Sequence, residues 1–155
     1  MERSNLIQQS TEVFNKISRL SRSLDGILAK IDEKPQFHQI HDTLLQLTSV
    51  QEEVVNFRLQ KILSEEHPYL PMLNINKLKQ NKADSGLGLQ QLCEDFLRER
   101  RILLKMLTTL PENSWSRTGV HEVEGHVSFG EVVRRMSIRD QQLIKQLDAT
   151  LANIN

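Results

Sequence analysis

Apolar residues in this chain recur at steps of three, four and seven over four separate stretches, and every proline lies between those stretches. Such spacing lines one face of an α-helix, and a proline inside a helix costs about 3 kcal/mol, so periodicity and breakers agree. Leu6, Val13, Ile17, Leu20, Leu24, Ile27 and Ile31 form the first stripe, which ends before Pro35. Gly26 lies within it and lowers helix propensity by about 1 kcal/mol relative to alanine without preventing a helix. The second stripe runs from Phe37 to Glu66, with Leu44, Leu47, Val50, Val54, Phe57 and Ile62 facing inward, and stops at Pro68 and Pro71. A third helix is predicted to start at Asp84 or Ser85, both good N-cap types, and to carry Leu89, Cys93, Phe96, Leu103, Leu107 and Leu110 up to Pro111. Ser128-Phe129-Gly130-Glu131 has the Ser-x-x-Glu form whose side chains satisfy open amides at a helix start, and it predicts a fourth helix to about Leu151.

Residues 68–84 lack periodicity and read as a long connection, with Leu70, Met72, Leu73 and Ile75 packed on the helices. The segment after Pro111-Glu112-Asn113 reads as a polar, irregular link, and no strand alternation is visible. The expectation is one all-α domain over 1–155: a four-helix bundle with a long crossover between helices two and three. A chain of 155 residues is long enough to bury one substantial core. Lys plus Arg and Asp plus Glu both number 20, so no excess charge draws the molecule to nucleic acid or to an anionic membrane. No apolar run approaches the roughly 20 residues of a membrane span, and Met1-Glu2-Arg3-Ser4 leads into an amphipathic segment. With its lone cysteine, the chain reads as a soluble, cytoplasmic protein.

Few residues offer chemistry. Cys93 sits on an apolar stripe, where burial raises a thiol's pKa, so it reads as core and not as a nucleophile. Gly86-Leu87-Gly88 is a flexible helix entry and not a phosphate loop; Glu52-Glu53 and Glu65-Glu66 are helix-surface composition. His38 and His41 share a helix face as solvated first-turn residues, His67 is a loop residue, and His121 and His126 fall in the irregular link. Trp115 is expected to pack on the bundle end and find a partner for its N–H. Arg117 reads as a surface residue or a dimer contact.

The run Leu110-Pro111-Glu112-Asn113-Ser114-Trp115, then Arg117-Thr118-Gly119-Val120-His121, Gly125, and Arg139-Asp140 with Gln146-Leu147 resembles the DinB/YfiT-like four-helix bundles. Phe96, Arg100 and Leu104, and the segment Arg58 to Pro68, extend the likeness over most of the chain, while helix one matches only by pattern. The resemblance implies a bundle commonly assembled as a homodimer. Members that retain three histidines bind a divalent metal, and some act as thiol-dependent transferases or hydrolases. Two of those histidines lie four residues apart on the last helix, where this chain holds Arg139 and Leu143. The third comes from helix two near Gln46, between Leu45 and Leu47. A catalytic zinc needs about three protein ligands and an open position; one amide oxygen, an alkyl group and a permanent cation do not supply them.

The expectation is therefore a DinB-like protein of unassigned activity with a degenerate metal site, no cofactor and no catalytic set. It would be a binding or dimeric scaffold protein with a small-molecule pocket between helices, formed by Gln46, Arg139, Asp140 and Leu143. The competing expectation is a metal-dependent transferase or hydrolase with relocated ligands. Val132, Met136, Leu143 and Leu147 set the inward face of helix four, which brings Arg139 or Asp140 towards the core. Arg139 either pairs with Glu52, Glu53, Glu94 or Asp95 or carries its charge outward along its methylene stem. Asp140 either orients a neighbouring group by accepting hydrogen bonds or lies on the helix surface.

Overall fold

A computed structural model describes residues 2–31 and 34–154, and its long helices follow the four apolar stripes. The first stripe is divided into α1 (Glu2–Arg22) and α2 (Leu24–Ile31). The single helix expected there is interrupted at Ser23, whose hydroxyl donates back to the carbonyls of Arg19 (3.0 Å) and Leu20 (3.3 Å), a competition that bends helices. Pro35 opens α3 (Pro35–Glu53), where a missing amide costs nothing in a first turn. The helix then passes through a π-helical turn, Val54–Leu59, into α4 (Gln60–Ser64).

The crossover is more ordered than its composition suggests. It contains strand β1 (Tyr69–Leu70) and helix α5 (Ile75–Ala83), which starts where the Asn74 side chain accepts the Lys77 amide at 3.1 Å. Lys82 fastens α5 to the bundle through Glu52 (2.7 Å) and Asp95 (3.3 Å). Asp84 and Ser85 end α5, so they do not start the next helix; α6 (Leu89–Thr109) begins after Gly88. Leu70 is buried and Leu73 and Ile75 pack on the core as expected, whereas Met72 is exposed.

The link after α6 also departs from expectation. A 3₁₀ turn (Glu112–Ser116) leads into a hairpin of β2 (Thr118–His121) and β3 (Gly125–Ser128), and β1 joins β2 in parallel to make a three-stranded sheet. The Arg117-to-His121 segment is thus largely strand. Gly119 is required by packing, because a Cβ there would stand 2.6 Å from Leu70 Cδ1. Arg117 donates to the carbonyls of Ile62 (2.9 Å) and Glu65 (3.0 Å), closing the C-terminus of α4.

Helix α7 (Phe129–Ala152) begins as its motif predicts, with the Ser128 hydroxyl accepting the Glu131 amide at 3.0 Å. The Glu131 carboxylate turns instead to Arg134 (2.6 Å) and Arg135 (3.0 Å). In the bundle α1 and α3 each pack on both α6 and α7, so the first two long helices occupy opposite corners. The all-α class holds, with the small sheet closing one end of the bundle.

Candidate functional site

Two charged groups in the middle of the apolar stripes organise the interior. Arg100 of α6 is fully buried, and its guanidinium donates to Asp140 Oδ2 of α7 at 2.7 Å, to Ser10 O and Oγ of α1 at 3.2 and 3.0 Å, and to Gln51 Oε1 of α3. Gln51 in turn donates to the Phe96 carbonyl at 2.9 Å, and the Phe96 ring lies 4.8 Å beneath the guanidinium carbon. One cation therefore ties all four corners of the bundle. Burial pushes the Asp140 carboxyl above its ordinary value, with the adjacent Arg100 opposing the shift. Asp140 orients a neighbour by accepting a hydrogen bond, one of the two roles open to it, and its partner is Arg100.

Arg139 makes none of the ion pairs expected of it. It is half-buried, makes no ion pair with any described carboxylate, and lines a cavity of about 170 Å³ between the π-helical turn, α7 and the sheet. Of the acids considered as its partners, Glu52 and Asp95 are held by Lys82. The cavity's polar rim is Arg58, Arg135, Arg139 and His121; Val54, Leu70, Val127, Val132 and Met136 supply apolar wall.

Arg58 is the residue that sequence reasoning missed. The π-helical turn holds an extra residue, and Arg58, not Phe57, turns inward: it is 6% exposed while Phe57 is half-buried. Its terminal nitrogen donates to the Pro71 carbonyl, but its buried Nε has no hydrogen-bond partner among the described residues. Burial lowers the Arg58 pKa most, Glu53 opposes this, and Arg139 adds to it; burial likewise lowers Arg139, against Asp140. A signal was present, since Val50, Val54, Arg58 and Ile62 fall at steps of four.

The remaining rim groups are differently committed. Arg135 is held by Glu124 and Glu131. His121 Nδ1 accepts the amides of Val123 (3.1 Å) and Glu124 (3.3 Å), which leaves Nε2 as the donor of the neutral ring. Gln46 lies outside this cavity, on a neighbouring open groove with Met72 and Leu73, and Leu143 packs in the core with Leu47 and Leu147. The structure thus brings only Arg139, of the four site residues expected from sequence, to the cavity, and adds Arg58.

These residues do not fit a divalent cation. Among the described residues no three His, Cys, Asp or Glu side chains come together as a ligand set, and two arginines without a direct ion pair line the space. His67 and His126 stack edge to face at 5.4 Å and share the Thr118 hydroxyl, but they form only a pair. His41 Nε2 lies 3.0 Å from the Leu87 carbonyl, so it is tied to the chain and not solvated; His38 is exposed. Trp115 packs against Phe129 as expected, yet its buried Nε1 has no partner among the described residues.

Neither a protein-family model nor a curated protein matches this sequence. Among solved structures the chain is similar to YfiT from Bacillus subtilis, described as a probable metal-dependent hydrolase with an unusual four-helix bundle topology. The two share a TM-score of 0.75 at 13% sequence identity, over 96% of this chain and 85% of that one. The chain therefore shares the four-helix-bundle fold of YfiT.

Proposed function

We propose that this protein is a binding protein: a DinB-like bundle that presents a pocket for a small, partly apolar molecule where related chains would carry metal chemistry. The observation that supports it most is the sign of the charge around the cavity. Arg58 and Arg139 line the space without a direct ion pair, Glu53 and Asp140 acting on them only from a distance, a setting that repels a metal ion and favours a ligand that accepts hydrogen bonds. Convergent polar groups over an apolar wall are the usual composition of a small-molecule site. No general base or nucleophile stands in the cavity wall apart from the His121 ring.

A fragment screen read by the methyl resonances of Val127, Val132 and Met136, paired with elemental analysis of untagged protein supplied with zinc, nickel and manganese, tests this. The proposal expects fragments that shift those methyls and metal far below one equivalent. Stoichiometric metal, or no fragment at the cavity, would overturn it, the former in favour of a metal-dependent hydrolase or transferase. The homodimer implied by the family resemblance and the cytoplasmic location expected from the lone cysteine belong to the same proposal. A monomer in sedimentation equilibrium would remove the dimer.

A further inference from the structure

Resting on that binding reading, we infer the ligand's class: a small organic oxyanion, its carboxylate or phosphate held between the guanidiniums of Arg58 and Arg139 and its short hydrocarbon part against Leu70, Val127 and Met136.

The inference starts from an imbalance. A buried or half-buried cation normally has a counter-charge, because removing it from water costs several kcal/mol that only a partner returns. Arg100 illustrates the rule inside this same molecule, with Asp140 at 2.7 Å. Arg58 and Arg139 depart from it together: neither makes an ion pair with a described residue, and the carboxylates that act on them, Glu53 on Arg58 and Asp140 on Arg139, do so without direct contact. Asp140 belongs to Arg100, while Glu124 and Glu131 belong to Arg135, with Glu131 also shared by Arg134. The protein has therefore placed two positive groups on one cavity without filling it with negative charge of its own.

Geometry gives the class. Arg58 is 6% exposed, fixed by its bond to the Pro71 carbonyl, and lines the space together with Arg139. A guanidinium edge offers parallel N–H donors that match the two oxygens of a carboxylate or phosphate, which a single-point acceptor such as chloride does not. The size of the space sets the rest. A cavity of about 170 Å³ with this apolar wall accepts a charged group carrying a short hydrocarbon part.

Methyl-detected NMR titration at constant ionic strength with butanoate, butanamide and inorganic phosphate tests the class. Butanoate should shift the Val127 and Met136 methyls and bind at least about tenfold more tightly than butanamide, its uncharged counterpart, since charge-assisted hydrogen bonds carry that difference. Arg139→Met should weaken butanoate by about ten- to hundredfold and leave the butanamide response unchanged. Phosphate binding more tightly than butanoate would keep the oxyanion assignment and place the source among phosphate compounds; the reverse order assigns carboxylates. Because the comparison between butanoate and butanamide uses the unaltered protein, it stands even if a variant fails to fold. Equal affinity for butanoate and butanamide, or an Arg139→Met protein with unchanged butanoate affinity, would overturn the inference. Neutral fragments at the cavity with silence from both anions would overturn it alone and leave the binding reading intact; silence from every compound would overturn both.

Discussion

Replacing Asp140 with alanine should unfold this protein far more readily than its single hydrogen bond suggests. The substitution leaves Arg100 fully buried with no counter-charge, its guanidinium facing only Ser10 and Gln51 as acceptors. Breaking a buried pair in this way costs about 3–5 kcal/mol, at least about a fifth of the ~5–15 kcal/mol that holds a typical domain together. At roughly 2–4 °C per kcal/mol for a chain of this size, the melting midpoint should fall on the order of 10 °C. Asp140→Asn should cost less, because it keeps one acceptor oxygen beside Arg100. The double variant Arg100→Met with Asp140→Leu should be no less stable than Asp140→Ala, since the desolvation cost disappears with both charges. Equilibrium unfolding in urea, followed by helical circular dichroism, supplies the free energies for this cycle. An Asp140→Ala cost below about 1 kcal/mol, or a double variant markedly worse than the single, would refute the assignment of this pair as the tie between the helices.

Three further outcomes follow from the same coordinates. Gly119→Ala should destabilise by about 1–3 kcal/mol in the same urea assay, because its Cβ would meet Leu70 Cδ1 at 2.6 Å and the Pro68 carbonyl at 3.1 Å; a neutral effect would mean that β1 and β2 are not packed as described. Burial pushes the Cys93 thiol up to about 12, so native protein should react with a thiol reagent only as fast as it unfolds, and rapid labelling would show an open site. Arg134, with Arg135, holds the Glu131 carboxyl down at about 2. This folded value lies below the ~4.3 of an unperturbed glutamate, so the group's stabilisation is complete above that value and is lost as pH falls towards 2. Glu131→Gln should flatten stability against pH in that window, and an unchanged slope would count against the Arg134–Glu131–Arg135 cluster.

The long helices were legible because their stripes are long and their prolines lie outside them. Ser128 was legible because an N-cap acts within four residues. What escaped depends on shorter or more distant relations. β1 has two residues and β2 and β3 have four each, too few for alternation to register, and they exist because the hairpin and the crossover meet across about 50 positions. Arg100 reads as a break in the stripe of Phe96, Leu103 and Leu107, and only the fold brings Asp140 to it from 40 residues away. Arg58 was hidden by the π-helical turn, which rotates the inward face by about one residue relative to an ordinary helix. For the site, the unusual charge of Arg139 on an inward helix face was readable. Its companion and the cavity between them were not.

The central claim is that the cavity lined by Arg58 and Arg139 is built for negative charge. Anomalous diffraction from crystals soaked separately in bromoacetate and in zinc tests it most directly. The account predicts a bromine peak in the cavity beside Leu70, Val127 and Met136, with the carboxylate between Arg58 and Arg139, and no zinc peak there. A zinc peak touching Gln46, its neighbours or Arg139, with the cavity empty of bromine, would contradict it.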